Sequence, residues 1–147
     1  MYTHILVPTD GSKLSAKAVA AAVRLARQCN ARVTALHCSP SFEESQSEGV
    51  GYGVAIRKRQ HDAVVKERAD EALAAVESAA QKADVPCQTL RVVSDQPWKA
   101  IIRAVGAKGC DLIVMAAHGR RGLQGLLVGS ETHKVLTHSE TPVLVYR

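Results

Sequence analysis

The sequence predicts an α/β fold: a single doubly wound domain with a five-stranded, mainly parallel sheet and helices on both faces. Two observations predict this class. Short apolar segments alternate with longer helical segments along the whole chain, and turn-forming or helix-capping residues stand between them. The chain has 147 residues, 46% hydrophobic and 22% charged, which suits one globular domain spanning 1–147 rather than a disordered chain.

The first predicted strand and helix are separated by a turn rich in capping residues. His4–Val7 is short and apolar, and Pro8-Thr9-Asp10-Gly11-Ser12 follows it. A helix is predicted from Ser12 to Cys29, with Asn30 as its carboxyl-terminal cap. The residues expected to form its apolar face are Ala16, Val19, Ala20, Val23 and Ala26.

A second strand, a surface loop and a long helix are predicted next. Arg32–Cys38 is the strand, the Ser- and Gly-rich segment 39–53 is the loop, and the helix runs from about Ile56 to Ala83. Asp84-Val85-Pro86 ends that helix. Its predicted apolar stripe contains Val64, Ala72, Leu73, Val76 and Ala80.

The same alternation continues to the last residues. Gly-rich residues 118–129 are predicted to connect a strongly apolar strand to a short helix. The predicted elements of this half are, in order, strand Cys87–Val93, helix Pro97–Lys108, strand Cys110–Ala117, helix Ser130–His138 and strand Val143–Tyr146.

Composition limits the classes of partner and compartment. No stretch approaches the roughly 20 apolar residues of a membrane span, and the first ten residues do not resemble a secretory signal. Four scattered cysteines suit a reducing compartment, so the expected location is the cytoplasm. The net charge of +5 favours anionic partners in general. The basic run Arg57-Lys58-Arg59 has no interleaved aromatic residues, which favours a solvated helix face over nucleic-acid binding.

Two polar turns follow predicted strand ends and are the candidate binding segments. They are residues 8–12 and 118–130. Ligands of open α/β sheets bind outside the carboxyl ends of strands, where the strand order reverses. If the first and fourth strands flank that point, both turns face one ligand.

The second turn has the composition of a phosphate-binding loop. Its glycines let a backbone approach a ligand, and Gly129-Ser130 opens a helix whose first amides favour an anion. Arg120 and Arg121 add positive charge, although solvated arginines are the simpler interpretation of that pair. Neither the P-loop nor the G-x-G-x-x-G pattern is present. The alternative is a flexible connection capped at Ser130. The glycines are Gly119, Gly122, Gly125 and Gly129.

These residues resemble a known family. Ala116-Ala117-His118-Gly119, nine further residues and Gly129-Ser130 resemble the G-x-x-G-x9-G-[ST] nucleotide motif of universal stress proteins. Residues 5–12 resemble the family's opening strand and turn, and residues 141–145 resemble its closing strand. The resemblance covers the whole chain and implies an adenine nucleotide α-hydrolase-like fold of the ATP-binding branch.

The resemblance implies a set of ligand-binding residues. The backbone of Pro8 and Cys38 would lie near the nucleoside, and Asp10 near the ribose or an indirectly held metal. A helix-capping role is an equal alternative for Asp10. A structural hydrogen bond is the leading alternative for His118. The full predicted set is Pro8, Thr9, Asp10, Cys38, Ala116, Ala117, His118, Gly119, Arg120, Arg121, Gly122, Gly129, Ser130, Glu131 and Thr132.

The function implied is an ATP-binding, stress-response regulatory module, with Mg or Mn accompanying the nucleotide. It would act as a homodimer through Val143, Leu144, Val145 and Tyr146 and through contacts with a protein partner of unknown identity. No set of nucleophile, base and orienting group is visible. Two alternatives remain: a slow ATPase or self-phosphorylating enzyme, and a ligand-free dimeric adaptor. The adaptor is considered because Ala116 replaces the motif's first glycine.

Overall fold

The structure, a computed structural model, describes residues 1–42, 52–119 and 128–147. Strands and helices alternate throughout, which confirms the predicted α/β class. Within these residues no helix is both long and apolar enough to cross a membrane. The elements are β1 His4–Pro8, α1 Lys13–Cys29, β2 Arg32–Ser39, α2 Tyr52–Lys82, β3 Cys87–Val93, α3 Pro97–Lys108, β4 Leu112–Ala116, α4 Ser130–His138 and β5 Val143–Tyr146.

The five strands form one sheet in the order β3-β2-β1-β4-β5. All four pairings between neighbouring strands are parallel. From β1 the chain moves outward to β2 and β3, then returns to the other side of β1 to form β4 and β5. The strand order therefore reverses between β1 and β4, which is where ligands of such sheets bind.

The sheet separates two hydrophobic cores. Alternate residues of β1 point to opposite faces, so Ile5 and Val7 pack with α1 and α2, whereas Leu6 packs with α3 and α4. All three are completely buried. Each helix pair covers one face, so both faces of β1 are buried and the strand is apolar along most of its length.

Some residues predicted to lie on the buried faces of α1 and α2 are exposed. Ala16 and Ala20 are exposed on α1, where Ala18 and Ala22 are buried instead. On α2 the predicted core residue Val64 is 47% exposed. Alanine and valine occur on several faces of these helices, so spacing alone does not identify the buried side. The observed α2 stripe is Val65, Ala69, Ala72, Leu73, Val76 and Ala80.

The predicted ends of α1, α3 and α4 agree with the structure, but α2 begins at Tyr52 rather than at about Ile56, and the fourth strand is shorter than predicted. The Ser12 side chain accepts a hydrogen bond from the Ser15 amide, and Asn30 adopts a left-handed conformation that ends α1. Cys110 is not yet in β4, because its amide donates to the Val105 carbonyl and closes α3.

His4 is a buried histidine at the amino ends of the strands, the opposite end from the reversal site. Its Nε2 lies 2.7 Å from the Thr34 hydroxyl, and its Nδ1 has no hydrogen-bond partner in the described part of the chain. Burial lowers the pKa of His4, and the charge of Arg32 lowers it further, against opposing contributions from Asp111 and the Lys108 backbone. The folded protein therefore favours a neutral His4.

We expect His4 to make the protein less stable in acid. The unfolded chain takes up the proton at about pH 6.5, whereas the folded chain takes it up at lower pH. The stability that neutral His4 confers is thus present above pH 6.5 and is lost as pH falls below it. Urea unfolding from pH 7.5 to 5.0 should show a shallower decline for His4→Gln than for the parent. An exposed control, His133→Gln, should keep the parent's slope, and equal slopes in all three proteins would contradict this role.

Candidate functional site

A cleft of about 190 Å³ opens at the point where the strand order reverses. It lies between the carboxyl ends of β1, β2 and β4 and the first turns of α3 and α4. Its walls combine apolar side chains with two carboxylates and a histidine. The lining residues are Pro8, Thr9, Asp10, Ser15, Leu36, Cys38, Pro97, Ile101, Met115, Ala116, His118, Gly119, Glu131 and Thr132.

The turn between β1 and α1 holds Asp10 in place. The Ser12 amide donates to Asp10 Oδ1 at 2.9 Å, and Gly11 has the positive φ of 77° that this turn requires. Ser12, not Asp10, caps α1, since its hydroxyl accepts from the Ser15 amide at 3.1 Å. The Asp10 carboxylate therefore braces the turn and also lines the cleft.

Thr9 braces the same turn from inside. Its side chain is nearly buried, and its Oγ1 accepts from the Ser15 hydroxyl at 2.7 Å and from the Gly11 amide at 3.2 Å. The Thr9 amide in turn donates to the Leu36 carbonyl on β2. These bonds connect the turn to both β2 and α1, which gives the cleft a rigid wall.

The opposite wall is formed where β4 leads toward α4. The Thr132 hydroxyl donates to the Ala116 carbonyl at 3.0 Å, so α4 is attached directly to the end of β4. Ala116 is not among the described residues with positive φ. Its methyl group therefore causes no backbone strain where the family motif has glycine.

Two glycines of this wall lie close to neighbouring atoms. A Cβ on Gly119 would stand 2.9 Å from Asp10 Oδ2, and a Cβ on Gly129 would stand 3.2 Å from the Ala117 carbonyl oxygen. The first distance is too short for any side chain without movement of Asp10. Both turns of the site thus meet at Gly119.

The first amides of α4 are only partly available to a ligand. The Gly129 amide donates to the Ala117 carbonyl at 2.7 Å, so it is already used within the protein. Gly129 is the N-cap of α4 and provides no side-chain cap. The amides that follow, from Ser130 onward, lie at the positive end of the helix dipole, which favours an anion.

Most of the predicted site residues for which the structure gives positions line this one cleft. Ala117 is completely buried, and Ala117, Gly129 and Ser130 are not among the lining residues. Arg120, Arg121, Gly122 and Gly125 lie outside the described residues. The lining residues that sequence reasoning missed are Ser15, Leu36, Pro97, Ile101 and Met115.

Two thiols, Cys38 in the cleft lining and Cys110 at the opposite ends of the strands, are protonated at neutral pH. Burial raises the pKa of the Cys38 thiol, and burial raises the pKa of Cys110 to about 11. Neither is a nucleophile under these conditions. All four cysteines are free, and no group of three metal-binding side chains occurs among residues 1–42, 52–119 and 128–147.

A larger cavity of about 640 Å³ lies elsewhere, between α2 and the β3 edge of the sheet. Its lining includes Phe42, Lys58, Lys66 and Arg91. Its lining does not include the strand ends at the reversal point, nor any described residue between β4 and α4. The smaller cleft is the better candidate, because polar groups from three strand ends meet there.

The fold and cleft define an α/β protein with a cleft where the strand order of its parallel sheet reverses. The model of the Universal stress protein family matches residues 1–147, and the chain belongs to this family. The universal stress protein YxiE of Bacillus subtilis is 34% identical over 150 residues, covering all of both chains. Universal stress protein MJ0531 of Methanocaldococcus jannaschii is 31% identical over all of this chain and 83% of its own.

Solved structures of the same fold include complexes with nucleotides. UspA of Lactobacillus plantarum matches with a TM-score of 0.75 and 26% identity over 99% of this chain and 98% of its own. More distant structures, at 17% to 23% identity, have the fold alone in common with this chain. They are a universal stress protein with cAMP (TM-score 0.71), one from Archaeoglobus fulgidus with dAMP (0.70) and one from Arabidopsis thaliana with AMP bound (0.68). They cover 98–99% of this chain and 90–98% of their own.

Proposed function

We propose that this protein is an ATP-binding regulatory module of the stress response. The observation that carries the proposal is the cleft itself. It has an apolar interior where the strand order reverses, the Asp10 carboxylate held by the Ser12 amide at one end, and the start of α4 at the other. An adenosine fits that order of groups, with its phosphates toward the helix dipole. The nucleotides in the solved structures of the same fold support this choice.

The residues around the cleft divide into regions that match the parts of a nucleotide. Leu36, Ile101 and Met115 offer apolar surface for the base. The Asp10 carboxylate lines the cleft and is the acceptor that would face the ribose hydroxyls. His118 and Gly119 line the part nearest α4, toward the phosphates.

A magnesium or manganese ion fits this arrangement only together with the nucleotide. Mg²⁺ commonly takes one or two protein carboxylates and completes its shell with water and substrate phosphates. Asp10 is the carboxylate at the braced turn that would serve. The described residues contain no cluster that could hold the ion alone.

Mass analysis of ligand released from gently purified protein tests the proposal, followed by calorimetric titration with ATP and magnesium. We expect an adenine nucleotide in the first experiment or saturable ATP binding in the second. If neither is found with folded protein, the ligand-free adaptor becomes the better hypothesis. Phosphate release measured over hours with bound ATP then separates a binding module from a slow ATPase.

We predict that Ala116→Gly binds ATP with equal or slightly higher affinity. Ala116 lines the cleft without backbone strain, so the change only removes a methyl group from the ligand's surroundings. Titration of both proteins with ATP and magnesium measures the effect, and circular dichroism verifies the fold. A clear loss of affinity would show that the alanine is part of the binding surface.

We also propose that the protein is a homodimer that pairs through β5. In the described chain β5 pairs only with β4, and Leu144 is 44% exposed. An apolar edge of this kind favours association with another strand. Pro142 and Tyr146 direct their carbonyls to β4, so by strand alternation Val143 and Val145 direct their backbone groups outward.

Val145→Pro should therefore weaken the dimer without breaking the pairing of β5 with β4. Proline removes an outward N–H group and is tolerated on edge strands. We expect the dimer dissociation constant to rise at least about tenfold, measured by analytical ultracentrifugation. Val145→Thr, which keeps the amide and the branched shape, is the matched control. An unchanged dimer in the proline variant would place the interface elsewhere.

The proposed compartment is the cytoplasm. The four cysteines are free thiols, which suits a reducing environment. The module would act through a protein partner whose binding depends on the bound nucleotide.

A further inference from the structure

The carboxylate of Glu131 is held between two helices at the cleft. Its Oε2 accepts from the Trp98 amide on α3 at 3.0 Å, and its Oε1 accepts from Lys134 Nζ at 2.9 Å. The helix α3 has no side-chain cap at Gln96 and no acidic residue in its own first turn. Glu131 therefore supplies the anionic partner that stabilises the start of α3.

Glu131 belongs to a different part of the cleft from Asp10. The Asp10 carboxylate faces Gly119, whereas the charge of Glu131 acts on the Cys38 thiol and adds to the effect of burial in raising its pKa. The side chains around Glu131 and the start of α3 are apolar, among them Pro97 and Ile101. A flat base suits this apolar part, which lies on the α3 side of the Glu131 carboxylate, whereas the phosphates would lie toward the backbone amides at the start of α4.

The carboxylate retains capacity for one more hydrogen bond. Each carboxylate oxygen has two acceptor positions, and each oxygen of Glu131 has one described donor. A carboxylate accepts and cannot donate, so it favours a base that presents an N–H group. We infer that Glu131 determines base specificity by accepting a hydrogen bond from the exocyclic amino group of adenine. This rests on the proposed function and assigns Glu131 to the base rather than to the phosphates.

Two nucleotides that differ only in that amino group test the inference. ATP and purine riboside 5′-triphosphate, both with magnesium, are titrated by calorimetry into the parent protein. We expect the parent to bind ATP about tenfold more tightly, as for a hydrogen bond to a charged group. In Glu131→Ala the two should bind almost equally. Glu131→Gln keeps an acceptor for the Trp98 amide and should retain only about a threefold preference, because a neutral acceptor is weaker.

Lys134→Ala is the matched control, since it removes one partner of the carboxylate and leaves the Trp98 bond in place. It should keep the parent's preference for ATP. A purely structural role predicts lower melting temperatures for the Glu131 variants with an unchanged preference, and that result would overturn the inference. Equal binding of both nucleotides by the parent would overturn it too, while the proposed function stands. Failure of the parent to bind ATP would remove the proposed function and this inference together.

Discussion

Gly129→Asp is expected to lower ATP affinity at least about fivefold. The new carboxylate would stand at the N-cap of α4, where it can accept from the amides that a phosphate would use. Two unit charges about 4 Å apart repel by about 1 kcal/mol in water and by more at lower effective dielectric, which already corresponds to about fivefold. The added side chain also crowds the Ala117 carbonyl at 3.2 Å. Calorimetric titration with ATP and magnesium measures the loss.

The fold should survive this substitution. Gly129 has φ −70° and ψ 160°, which any residue can adopt, and aspartate is a favourable N-cap residue. Gly106→Asp is the matched control. Gly106 has open space at its Cβ position and lies nine residues after the start of α3, about 14 Å along the helix. The control should bind like the parent. Folded Gly129→Asp with the parent's affinity would mean that this turn only connects β4 to α4.

Leu6→Ala is expected to reduce the free energy of unfolding by about 2–5 kcal/mol, the range for buried leucine replaced by alanine. Leu6 is completely buried at the centre of β1, with Thr34 on one neighbouring strand and Ile113 on the other. It packs in the core beneath α3 and α4. Few side chains can fill the space it leaves, because the parallel strands on both sides restrict movement.

Urea unfolding measures this loss, and Val64→Ala provides the contrast. Val64 is 47% exposed on α2, so its truncation should change stability by no more than about 0.5 kcal/mol. Comparable losses in the two variants would indicate that Val64 is covered in solution. A small loss in Leu6→Ala would show that the core around β1 can collapse onto the cavity.

The sequence determines the elements of this fold better than their faces. Turn and capping residues such as Ser12, Asn30 and Pro97 have local physical effects, so the helix ends they mark agree with the structure. The buried side of α2 depends on which neighbours it meets. Val64 and Val65 are chemically identical, and only the packing against the sheet buries the second.

Sequence patterns likewise identify some residues of the site and miss others. Asp10, His118 and Gly119 stand in turns that sequence patterns single out, and the structure brings them to one cleft. Met115 and Leu36 are ordinary strand residues, and their place at the site depends on strand order and register, which no local pattern encodes. Nor does the sequence show that the Gly129 amide is already bonded to Ala117.

Trp98, the single tryptophan of the chain, gives the site its own optical reporter. Its amide is bonded to a cleft residue, and its ring lies 4.8 Å from that of His138. Occupation of the cleft that shifts Glu131 would alter the surroundings of this indole. The intensity of tryptophan fluorescence would then report ligand binding without an attached dye. Because the chain has one tryptophan, the whole signal would come from this position.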